Sequence, residues 1–97
     1  MTKISLSSFF INKKQYFLKK YIEINVDEIF DKNSCVTNYH AYNYEFSIFG
    51  FGATIEEAAM DIESDLAHVY TILTSNNESE LTFESKQLKR RLLEIVS

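Results

Sequence analysis

Ser47-Ile48-Phe49-Gly50-Phe51-Gly52-Ala53-Thr54-Ile55-Glu56-Glu57-Ala58 decides the fold of this 97-residue chain. An apolar, strand-like segment runs into two glycines, and a hydroxyl residue follows with a glutamate three positions beyond it. Thr54 is a natural N-cap and Glu57 completes a capping box. Gly50 and Gly52 are the only glycines, and they are expected to end a sheet at a corner whose backbone angles other residues resist. Downstream, Ile55, Ala58, Ala59, Ile62, Leu66, Val69, Tyr70 and Leu73 recur at helical spacing, so one apolar stripe should lie on the sheet. Glu56 and Glu57 occupy the first turn, where the helix dipole favours negative charge. Ser75-Asn76-Asn77 stops the helix.

Upstream, Lys20-Tyr21-Ile22-Glu23-Ile24-Asn25-Val26 alternates with a period of two and predicts a half-buried strand. Tyr16-Phe17-Leu18 extends it, and Ile4 to Ile11 reads as a further strand or an ordered arm. Asp27 to Ser34 is polar and turn-like, with Asp31 and Asn33 supplying the turn chemistry. A second strand is expected over Cys35 to Tyr42 and a third over Tyr44 to Phe49. Short connections make the sheet a mostly antiparallel meander. A second helix is expected from the Thr82 cap to the chain end, with Leu88, Leu92 and Ile95 inward and Lys86, Lys89, Arg90 and Arg91 largely outward. The reading is one α+β domain over 1–97, with its core at 16–75. Three or four strands are packed by one long helix, and a short C-terminal helix spans 82–97.

The junction resembles the hallmark of HicB-like antitoxins: a strand, a Gly-x-Gly-Asp-Thr-like turn, an apolar residue, Glu-Glu-Ala and a helix. Gly50, Gly52, Thr54, Glu56, Glu57 and Ala58 match that pattern, and the resemblance covers roughly Tyr16 to Leu73. It implies a partial RNase H-like βββα unit and, as function, the masking of a small ribonuclease toxin. Ala53 departs from the acidic turn residue of the pattern, Tyr42-Asn43-Tyr44-Glu45 replaces a proline-containing segment, and Leu81 to Ser97 is too short for a DNA-binding domain.

A net charge of −4 argues against a dedicated nucleic-acid binder. Between Ala53 and Leu81 stand seven acids and no Lys or Arg. Glu56, Asp61, Glu63 and Asp65, with His68 beside them, are the candidate partner-binding residues, since such a face attracts a basic protein. The sheet edge is expected to contribute. Gly50, Gly52, Thr54 and Glu57 are assigned the structural turn and cap.

No catalytic residue, metal ligand or cofactor is assigned. The lone Cys35 and His40 are placed on opposite faces of one strand, and Cys35 is read as a buried thiol. Asp27, Glu28, Asp31, Asp61 and Asp65 could form an RNase H-like carboxylate site only by converging, which their spacing does not demand. Tyr39, Tyr42, Tyr44, Phe49 and Phe51 offer a stacking platform that would suit a small nucleic-acid-binding protein, the alternative reading. One cysteine, no signal-peptide core and no membrane-length apolar run give a cytoplasmic expectation. Open sheet edges make a homo-oligomer expected.

Overall fold

The computed structural model describes residues 2–97. Four strands form one antiparallel sheet in chain order: β1 (Thr2–Ile11), β2 (Lys14–Asp31), β3 (Val36–Asn43) and β4 (Ile48–Gly52). The long helix α1 (Ile55–Ser75) follows, then a 3-10 turn (Glu78–Glu80) and α2 (Phe83–Ile95). The expected α+β architecture is the one observed, with four strands.

β2 is the spine. Its first part pairs with β1, from Ile11↔Lys14 to Thr2↔Val26, and its last part pairs with β3, from Asn25↔Tyr42 to Asp31↔Val36. The two hairpins overlap only at Asn25 and Val26, which draws the molecule out to 47 × 25 × 24 Å. The polar character of Asp27, Glu28 and Asp31 predicts a turn from Asp27 onward. Those residues are strand, and the turn begins only at Lys32. There Asp31 accepts hydrogen bonds from the Asn33 N–H and the Ser34 hydroxyl, both through its carboxylate.

None of the three hairpin turns uses glycine. Asn12 and Lys13 both take positive φ (50° and 69°), which gives a two-residue loop the twist that antiparallel strands need. Cys35 (φ 56°) and Ser47 (φ 54°) close the other two turns in the left-handed region. Asn43 opens the last turn by accepting from the Phe46 N–H and donating to the Glu23 carbonyl. The third expected strand is therefore displaced: Tyr44 to Ser47 is turn, and the strand runs from Ile48 through Gly52. Cys35 sits at a hairpin tip and is exposed, which corrects its reading as a buried thiol.

The glycines also act differently from expectation. Neither has positive φ, and both lie within β4. A Cβ on Gly50 would lie 2.5 Å from the Ile62 backbone nitrogen, and one on Gly52 would lie 2.5 Å from that of Ala58. They are there so that α1 can lie directly on the strand.

Alternation places Leu18, Ile22, Ile24 and Val26 of β2, Ala41 of β3 and Ile48 of β4 on the covered face, all buried. Ala58, Ile62, Leu66 and Leu73 of α1 and Leu92 of α2 meet them. Burying a side chain such as Ile62 or Leu66 stabilises by about 2 kcal/mol. Thr82 caps α2 by accepting the Ser85 N–H, as expected. Beyond α2, Leu18 bridges Val96 and the Ser97 N–H donates to the Phe17 carbonyl, tying the end of the helix to β2.

Candidate functional site

The acids of α1 are held in a specific arrangement. Thr54 accepts the Glu57 N–H at 3.1 Å, so the N-cap forms as expected. The Glu57 carboxylate does not return to Thr54; it accepts the Ala53 N–H at 2.8 Å. One turn on, Asp61 accepts the Phe51 N–H, and one turn further Asp65 accepts the Phe49 N–H, each through Oδ2 at 2.8 Å. Acceptors four residues apart on a helix rise about 6 Å, and outward N–H groups two residues apart on a strand are about 6.7 Å apart. The two spacings agree well enough for three consecutive bonds. Helix α1 thus takes the place of a fifth strand along β4, and the sheet edge expected to receive a partner is closed on this side.

Each aspartate keeps Oδ1 outside this ladder, and the charge remains. The described residues contain two salt bridges, Lys3–Glu23 and Lys89–Glu78. Glu56, Glu57, Asp61, Glu63 and Asp65 therefore have no cationic partner among the described residues. The basic side chains of α2 turn elsewhere: Arg91 donates to the Glu45 carbonyl and Lys89 approaches Glu78. Glu56 is exposed at the helix start. Glu63 is half-buried beside Ile4 to Ser8 of β1, and that burial raises its pKa. His68 is exposed and forms no ion pair with Asp65. Met60, 69% exposed, stands between these acids, and with Phe51, Glu57, Asp61 and Ser64 it lines a shallow groove. Met60 and the strand contacts of Asp61 and Asp65 escaped the sequence reading. The Glu57/Asp61/Asp65 spacing was the available signal.

The opposite face of the sheet carries no helix. His40 stacks on Phe51 with ring centres 4.5 Å apart and an interplanar angle of 6°. Tyr42 lies beside His40 and Tyr44, and Phe49 approaches both His40 and Tyr44. Four of the five expected platform residues are gathered here. Tyr39 is the exception: it is on the other face, packed against the core. His40 takes its place, a result of parity that was readable once β3 was placed. Desolvation raises the Tyr42 phenol pKa, and the nearby charge of Asp27 adds to the effect.

Asp27, Glu28 and His40 border an open cleft of about 540 Å³ at the foot of the β2–β3 hairpin, with Thr2, Val26 and Ile29. Among the described residues no three His, Cys, Asp or Glu side chains converge to hold a metal ion, so Asp27, Glu28 and Asp31 do not meet Asp61 and Asp65. No helix among the described residues is long and apolar enough to cross a membrane. In comparisons with known proteins, no family model, curated protein or solved structure matches the chain.

Proposed function

We propose that this protein is a non-catalytic protein-interaction module, an antitoxin or orphan antitoxin-like regulator of the HicB-like kind, that binds a small basic protein through the exterior of α1. The observation that carries this reading is the row of carboxylates without cations, Glu56, Glu57, Asp61, Glu63 and Asp65, set around the exposed Met60. An apolar anchor ringed by uncompensated charge attracts an oppositely charged partner over long range and gives it a desolvated contact on arrival. The strand ladder fixes Asp61 and Asp65 in place, so little side-chain freedom remains to be lost on binding. The protein would act as a homo-oligomer that leaves this helix face outward.

Nucleic-acid binding through the aromatic face is the weaker reading, because Glu23, Asp27 and Asp31 alternate along the same side of β2 and Lys3 is already paired with Glu23.

Co-expression with any small basic protein encoded beside it, one partner tagged, tests the proposal. A complex should survive purification at low salt, weaken steeply as salt rises, and be lost in Met60→Glu or Glu56→Lys. A basic neighbour that never co-purifies, or a complex indifferent to both substitutions, contradicts it.

A further inference from the structure

We infer that the uncovered face of the sheet is the docking surface for a second copy of this chain, packed sheet on sheet about a twofold axis near Tyr42. This inference does not depend on the basic-partner reading, since α1 lies on the other side of the sheet.

Composition comes first. The face presents Tyr44 (73% exposed), Phe51 (59%) and Phe49 (40%) around His40 and Tyr42. Contiguous exposed aromatics of this kind mark association surfaces. The chain's 47 × 25 Å outline leaves room for a standard specific interface of about 800 Å² per copy.

The route is constrained as well. Edge-to-edge pairing at β4 is blocked by the carboxylates of α1. Along the outer strand β1 the pairing breaks between Leu6 and Ser8, where β2 carries three extra residues, and such a bulge blunts an edge.

Charge selects the occupant. Along β2, Lys19 lies six residues before Asn25, within the register break between Phe17 and Ile22, and Asp31 lies six residues after it. Asn25 pairs with Tyr42, and Tyr42 pairs with Phe49. A twofold axis through this row and across the strands stacks the aromatic cluster on its own copy. It also lays the Lys19 end of each chain over the Asp31 end of the other. Glu23, close to the axis, is neutralised within its own chain by Lys3 at 3.0 Å. The surface is self-complementary, as an isologous interface must be, whereas a nucleic acid would meet the acids Asp27 and Asp31.

Sedimentation equilibrium on the full chain tests this. The wild type should run at twice 11.3 kDa at micromolar concentration. Phe49→Glu and Tyr44→Glu should run as monomers with an unchanged helical circular dichroism signal. Lys19→Glu should weaken association by about tenfold, and adding Asp31→Lys should restore it, an outcome that loss of folding cannot produce. A monomeric wild type, a dimer that survives Phe49→Glu, or a monomer that binds a single-stranded RNA oligonucleotide on this face would overturn the inference.

Discussion

The two faces of this sheet are built from alternate residues of the same strands, yet they solve different problems. One face carries Ile22, Ile24, Val26, Ala41, Ile48 and Gly50, branched or small residues, and α1 lies against it at backbone distance. The other carries His40, Tyr42, Phe49 and Phe51, whose bulk faces outward with no element of the fold above it. Small residues permit one fixed, intimate neighbour. Large amphipathic rings give a surface that can be wet or covered. The difference separates what the fold needs for stability from what it leaves for association.

The sharpest way to break the comparison is to give the covered face a side chain where it has none. In Gly50→Val, new atoms would enter the Ile62 and Ala58 backbone, which cannot retreat as a side chain would. A loss of more than about 3 kcal/mol in urea unfolding is expected. Ile62→Ala, which leaves a cavity under α1, should cost about 3 kcal/mol. Tyr44→Ser on the open side, measured on dilute protein, should stay within about 0.5 kcal/mol.

A smaller effect is expected at the β4 edge. Asp61→Ala removes the acceptor of the Phe51 N–H and should cost about 1 kcal/mol, with increased aggregation because the edge is uncovered. Asp61→Asn keeps an acceptor and should recover most of the loss, as read by unfolding midpoint and light scattering.

The smallest effect concerns Glu63. Burial raises its folded pKa, so the native state holds the proton more tightly than the unfolded chain does. Its contribution to stability therefore declines as pH rises through and just above the ordinary glutamate range. Glu63→Gln should flatten that part of the stability–pH profile. An unchanged profile would show that Glu63 is solvated in the same way in both states.

Much of the architecture was legible because it rests on periodicity. The alternation of Ile22, Ile24 and Val26, the helical spacing of Ile62, Leu66 and Leu73, and the caps Thr54 and Thr82 each act over a few residues, and each appears where expected. The errors lie where a residue's reason is tertiary. Gly50 and Gly52 look like a corner in sequence, but they make room for a helix. The turns were obscured because Asn12, Lys13, Cys35 and Ser47 take left-handed angles that glycine usually supplies.

At the candidate site, the acidity of α1 and most of the aromatic cluster could be read from the chain. That Asp61 and Asp65 reach β4 could not, since it depends on how α1 is set across the strand.

The account turns on α1 serving as a fifth strand for β4, which leaves the opposite face as the surface open to association. Amide hydrogen exchange at Phe49 and Phe51 reads this directly. Both amides point away from β3, and both should be protected about as well as those of the central strands, with Phe51 losing protection in Asp61→Ala and Phe49 in Asp65→Ala. Exchange of both at the rate of an open edge in the wild type, with β3 still protected, would contradict it.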